Sequence, residues 1–170
     1  MTYDVVDKVI ANEVVNDDVL STKERESILT LADIAEKRKK WRASQGSLSL
    51  QKPKISIRVD NQGKYEVEPE RRTAANSLVE EMMVAAGELA ARFGIERNID
   101  LPYRIQSAPK RLSDDTPVTQ EMLDEWMQNN DNQKINQYLR TTQRATTGTL
   151  SAPHNSLALA SYVRVTSPLR

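Results

Sequence analysis

The sequence contains no cysteine and a single histidine, His154. Without thiols there is no disulfide scaffold, no thiolate nucleophile and no Cys-ligated zinc or iron–sulfur centre. One imidazole also excludes a multi-histidine metal site within this chain. The five glycines include no Gly-x-Gly or Gly-Lys-Ser/Thr arrangement, so a phosphate-cradling nucleotide loop is not expected. No apolar run approaches the roughly 18 residues that span a bilayer. The stretch Met1–Asp7 has neither the basic nor the apolar region of a signal peptide. The expectation is a soluble cytoplasmic protein with no membrane partner. Net charge is missing as well: 24 bases balance 24 acids, which gives no global case for nucleic acid. What remains is 170 residues, 38% hydrophobic and 28% charged, enough for a sizeable core in one ordinary domain.

The zero net charge hides segregation. Residues 1–28 hold seven acids against three bases, and residues 36–72 hold eleven bases against five acids, including the run Lys37-Arg38-Lys39-Lys40. From Arg140 onward there are four arginines and no acid. Two basic stretches could meet as one positive surface. On charge alone a solvated helix face is the favoured explanation.

Apolar spacing predicts the elements. Val5, Val6, Val9, Ile10 and Val14 predict a short helix over 4–15. Ser21-Thr22-Lys23-Glu24 is a capping box opening a long helix to about Ser44, with Ile28, Leu31, Ile34 and Ala35 inward. Gly46 ends it. Ile55–Val59 alternates as a strand, Asp60–Gly63 turns, and Lys64–Glu68 returns as its partner. From Thr73 to Phe93, apolar residues at 75, 78, 82, 85, 86, 89 and 93 predict a long amphipathic helix closed by Gly94. Thr116-Pro117 reads as the start of a helix through Met127. Asp131 reads as the cap of another through about Arg144, with Ile135, Tyr138 and Leu139 on one face. Residues 146–170 read as extended or irregular. The class is α+β, predominantly helical, with one β-hairpin.

Few residues offer chemistry on their own. His154 could join a triad, but no Gly-x-Ser-x-Gly elbow exists, and a loop histidine bonded to backbone is the simpler reading. Asp17-Asp18 and Asp114-Asp115 precede proposed helices, where acids favour the positive end of the dipole. Glu80-Glu81 lies within an apolar helix. Adjacent helical positions point about 100° apart, so at most one of the two faces inward, and periodicity does not choose between them. Trp41 follows the basic run and could stack a base, although a core anchor at the helix end is favoured.

Several segments, in order, resemble one family. Met1-Thr2-Tyr3-Asp4-Val5-Val6 resembles the "LTYDxV" segment of the RNase II/RNase R exoribonucleases, which share an RNB catalytic domain. Trp41-Arg42 with Gly46-Ser47-Leu48-Ser49-Leu50 resembles the family's R-x-x-x-G-A-L-x-F/L. Asn76–Ala86 is similar to its "LVEEMMIAAN" helix, and Leu101-Pro102-Tyr103-Arg104-Ile105 to "P-x-x-Y-R-x-H". Ala152–Leu159, Tyr162 and Thr166-Ser167-Pro168-Leu169-Arg170 resemble "PHxxLxLxxYxxxTSPIR". The Trp-Arg-x-x-x-Gly form resembles the cyanobacterial and plastid branch. Two positions depart from the pattern: Gln106 stands where the family has histidine, and Gly87 where it has asparagine.

The resemblance implies magnesium-dependent hydrolysis of single-stranded RNA from its 3′ end, releasing nucleoside 5′-monophosphates. It implies that Arg170 neutralises charge on the scissile phosphate and that Glu80 contacts the terminal nucleotide. Leu50 takes the place of an aromatic that stacks on the 3′ base. Arg42, Tyr103, Arg104, His154, Thr166 and Ser167 are further candidate RNA contacts. The family's metal-binding aspartates belong upstream of the "LTYD" motif, so the magnesium ligands are expected outside this chain, and no metal ligand is assigned within it. The chain is expected to be the C-terminal part of an RNB catalytic domain over residues 1–170. On this expectation it lacks the upstream aspartates, the downstream helix and the OB-fold RNA-binding domains. It is expected to be inactive alone, with the remainder of an RNB protein as a partner. The alternative is a non-catalytic RNA-binding or assembly subunit.

Overall fold

The computed structural model describes residues 1–16, 18–50, 54–59, 63–70, 72–109, 117–142 and 144–164, with 54–58 and 66–70 as backbone. Its elements are α1 (Tyr3–Ile10), α2 (Thr22–Ser44), β1 (Lys54–Val59), β2 (Tyr65–Glu70), α3 (Ala74–Glu96), β3 (Tyr103–Ile105), α4 (Gln120–Gln128), α5 (Asn132–Thr141) and β4 (Thr146–Gly148). A 3-10 turn follows at Asn155–Leu157. They form two compact units, residues 1–35 with 51–79 and residues 36–50 with 80–170, and α2 and α3 each contribute to both.

In the first unit, α1 is shorter than its periodicity suggested. Asn12 adopts a left-handed conformation at φ 57°, which ends the helix; Val14 is then exposed, and Val15 turns inward. Val9, Val15, Leu20 and Ile28 make a small core, with Val5, Val6 and Ile10 against it. The Ser21–Glu24 capping box forms as read, the serine N–H and hydroxyl both donating to the glutamate at 2.9 and 2.6 Å. Those bonds hold the Glu24 carboxyl below its ordinary pKa. Of the four residues expected inward on α2, Ile28 and Ala35 are buried, whereas Leu31 and Ile34 are exposed. Positions seven apart share a helix face, and Ile28 and Ala35 mark the line of α2 that is fully buried. The hairpin pairs antiparallel, Lys54 opposite Glu70 and Val59 opposite Tyr65; β1 starts one residue earlier than the spacing suggested, and β2 starts one residue later and ends two later. Asp7 Oδ1 accepts the Ala75 N–H at 2.8 Å, so a side chain from α1 satisfies a free donor of the first turn of α3.

The second unit holds two clusters. Leu123, Trp126, Ile135 and Tyr138 join α4 to α5, with Leu48, Leu50 and Val118 packed on them. Ala91, Tyr103 and Val163 form the other, with Ala90, Leu101 and Ile105 beside them. Helix α4 starts at Gln120, capped by Thr119, whose hydroxyl accepts the Met122 N–H. That start lies three residues past the expected Pro117, and Thr116 lies outside the described residues. Asp131 caps α5 as read, accepting the Lys134 N–H at 3.1 Å. Leu139, expected on the inner face, is exposed.

Gly94 does not close α3, which continues to Glu96. A Cβ there would stand 2.5 Å from Leu101 Cδ1 and 3.0 Å from the Tyr103 hydroxyl. The glycine is a point of close approach, and Asn98, at φ 52°, makes the turn instead. Leu89 and Phe93 are exposed although the periodicity put them inward. The helix carries apolar residues around most of its circumference, more than its packed face can cover.

Candidate functional site

Glu81, not Glu80, is the inward carboxylate of the pair: Glu81 is buried and Glu80 exposed. Both bonds that fix Glu81 come from Arg42 near the end of α2. Arg42 Nε donates to Oε1 at 3.0 Å and Nη2 donates to Oε2 at 2.5 Å, a fork-to-carboxylate pair. One turn earlier, Arg38 Nε stands 3.4 Å from Glu81 Oε1, and Arg38 Nη2 donates to Glu88 Oε2 at 2.7 Å. The side chains of Arg42 and Glu81 are only 12% and 4% exposed. Two arginines four apart on α2 thus meet two glutamates seven apart on α3, each pair on one face of its helix. The four charges cancel, as burial requires.

The third donor of Arg42, Nη1, reaches the Leu157 carbonyl at 3.3 Å. This guanidinium therefore ties α2 and α3 to the segment following Pro153. Around that point the remaining family-like segments are laced together by backbone bonds. Leu48 N–H donates to Ser156 O at 3.2 Å, Gln106 N–H to Pro153 O at 3.0 Å, Asn155 N–H to Gln106 O at 3.0 Å and Arg104 N–H to Tyr162 O at 2.7 Å. The Gln106 side chain is buried, and its Oε1 accepts the Ser156 N–H at 2.9 Å.

His154 is buried, with its N–H donating to Leu159 O at 2.9 Å. Its ring meets Tyr162 edge-on at 5.6 Å. Burial, and secondarily the charge of Arg104, lowers its pKa below the ordinary imidazole value. Tyr162 lies directly on Gly87: a Cβ there would stand 2.3 Å from both the tyrosine ring and the Val163 carbonyl. The departure to glycine at 87 thus has a physical reason in this chain, since no side chain fits.

The other expected site residues distribute as follows. Leu50 is half-buried against the α4–α5 cluster, and Tyr103 is buried in the second. Arg104, half-buried, donates from Nη1 to the Thr147 hydroxyl at 3.2 Å. Thr166, Ser167 and Arg170 lie outside the described residues. Trp41, favoured as a core anchor, is instead 47% exposed: it precedes Arg42 by one position, and the buried ion pair takes the inward direction. A cleft of about 570 Å³ runs along α5, lined by Gln133, Asn136, Gln137, Arg140 and Thr141.

Sequence reasoning missed Arg38, Glu81 and Glu88 as a unit, and Gln106 as an organiser of the 153–156 turn. The available signal was the matching spacing of opposite charges, i and i+4 on one helix against i and i+7 on another. Among the described residues no group of three or more His, Asp or Glu side chains could hold a metal ion. No described helix is long and apolar enough to cross a membrane.

The RNB domain family model matches residues 1–170. The chain is 31% identical to an uncharacterized ribonuclease of Synechocystis over 177 residues, covering 100% of this chain and 23% of that protein. It is 26% identical to ribonuclease R of Chlamydia muridarum over 192 residues, covering 100% of this chain and 27% of the relative. A chloroplastic/mitochondrial ribonuclease II of Arabidopsis thaliana is 34% identical over 51% of this chain and 12% of its own length. RNase R of Mycoplasma genitalium, solved with ribose-methylated single-stranded RNA, superposes with a TM-score of 0.74 at 21% identity, over 99% of this chain and 30% of that one. At that identity the likeness shows the fold. The chain spans about a quarter of the length of the curated relatives that it matches end to end.

Proposed function

Because the chain belongs to the RNB domain family, we propose that it is part of a hydrolytic 3′-to-5′ exoribonuclease of the cytoplasm, acting on single-stranded RNA and releasing nucleoside 5′-monophosphates. What supports this reading best is the meeting of family-like segments far apart in sequence. Arg42 bonds Glu81 and Leu157, Leu48 bonds Ser156, and Arg104 bonds Tyr162. Segments 41–50, 80–86, 101–105 and 152–162 thus form one connected unit, as parts of one site must. In this reading Arg170 neutralises the scissile phosphate and exposed Glu80 faces the terminal nucleotide. Magnesium, bound by aspartates supplied from outside this chain, would activate the attacking water.

The reading requires recognition of single strands. Fluorescence anisotropy with labelled oligo(A) and a matched duplex tests it. The single strand should bind more tightly, with affinity falling as salt rises, because phosphate contacts release counterions. Equal affinity for strand and duplex, or no binding at low salt, would overturn the proposal. Binding without any hydrolysis in magnesium by the full-length protein would favour the alternative of a non-catalytic RNA-binding subunit.

A further inference from the structure

We propose that Glu81 is a positioning residue: through Arg42 it fixes the 154–163 segment, and with it the point from which the chain proceeds to Arg170. The proposal rests on the exoribonuclease reading for Arg170 but on geometry for the device itself. Arg42 presents a rigid planar fork with five N–H donors. Two of these donors meet both oxygens of Glu81, and a third meets the Leu157 carbonyl. With its side chain 12% exposed, Arg42 is placed to hold protein rather than phosphate. The carboxylate sets the plane of the guanidinium, and that plane sets where Nη1 meets Leu157.

Two features make this more than a generic ion pair. First, the held carbonyl belongs to a segment with little regular structure of its own, one 3-10 turn at Asn155–Leu157 followed by Ala158 in the left-handed region at φ 52°. Such a segment depends on outside bonds for its path, and these include bonds from Arg42, Gln106, Leu48, Arg104 and Gly87. Second, Arg38 backs the clamp by pairing with Glu81 and Glu88 at once. Glu81 therefore stays anchored when one bond breathes. A lysine at 42 would keep the charge but could not make the fork and the carbonyl bond in one plane.

Two measurements on the full chain test the proposal, with Glu81→Gln and, in case that variant folds poorly, Arg42→Lys. In amide hydrogen exchange, the Leu48, Leu159 and Val163 amides should lose protection by about tenfold or more, while Leu123 and Ile135 amides on α4 and α5 keep theirs. A uniform loss across all these amides would mean a merely structural role and overturn the proposal. The second measurement is a double-mutant cycle on single-stranded RNA affinity. Arg170→Ala should weaken binding by about tenfold in the parent but less than about twofold in either clamp variant, the mark of coupled residues. Equal losses in both backgrounds would overturn the proposal. If Arg170→Ala has no effect in the parent, the exoribonuclease reading of Arg170 fails instead, and the exchange pattern still decides the clamp.

Discussion

At the scale of single residues, the informative positions are those where two readings were possible. Glu80 and Glu81 could not be told apart by periodicity, since the partner that decides between them lies on α2, 39 residues earlier in the chain. Helical spacing reports which residues share a face, not which face meets an opposite charge. Gly87 was legible only as a departure from a family pattern, and its reason is the Tyr162 ring and the Val163 carbonyl, far along the chain. It also makes a sharp prediction. A methyl group at 87 would stand 2.3 Å from both the Tyr162 ring and the Val163 carbonyl, while the Gly87 carbonyl accepts the Val163 N–H at 3.1 Å. Overpacking of this kind costs about 1–3 kcal/mol and occasionally more. Gly87→Ala should reach at least the upper end, read as a lowered denaturation midpoint. Adding Tyr162→Ala should restore only part of the loss, because the backbone carbonyl cannot be trimmed away.

At the scale of elements, what the sequence states locally is what the fold realises. The Ser21 capping box, the Asp131 cap and the Gly46 terminus all rest on bonds within four or five residues, and all were legible. Helix ends governed by tertiary contact were not. Gly94 reads as a stop, yet it admits Leu101 and Tyr103 to the side of a helix that continues. The exposed Leu89 and Phe93 were misplaced for a related reason: a helix apolar on most sides gives no unique inner face. Local caps carry a pH dependence that can be worked out. The backbone N–H of Lys134, the largest cause, holds the Asp131 carboxyl below its ordinary pKa. A group whose pKa is lower folded than unfolded stabilises the fold above its unfolded value, about 3.9 for aspartate. That contribution fades as pH falls through the folded value. Asp131→Asn, which keeps a capping oxygen without the charge, should therefore lower the melting temperature at neutral pH. The difference from the parent should shrink steadily on acidification below about pH 4, followed by circular dichroism.

At the scale of the whole molecule, the described residues gather into two compact units, and α2 and α3 each contribute to both. Composition could not reveal this, because it counts apolar residues without saying how many cores they fill. The same limit applies to charge. A net charge of zero left no global argument for RNA, and it also gave no sign that Arg38, Arg42, Glu81 and Glu88 meet in one partly buried set. Two bases and two acids pair there, so the balance of the remaining charges is still zero, and only their placement along the chain distinguishes one surface from another. Catalysis is a whole-molecule property in a stricter sense. Phosphodiester hydrolysis of this family type needs carboxylates converging on metal ions, and no group of three such ligands comes together among the described residues. The chain also spans about a quarter of its curated relatives. We therefore expect binding without turnover. Incubated with 5′-labelled poly(A) and magnesium, the chain should leave the substrate at full length while still retarding it in a gel at low salt. Arg42→Lys should not change that null result. Processive shortening by the chain alone would mean that a complete metal site can form from these 170 residues, and would overturn the assignment of the metal ligands to another part of the protein.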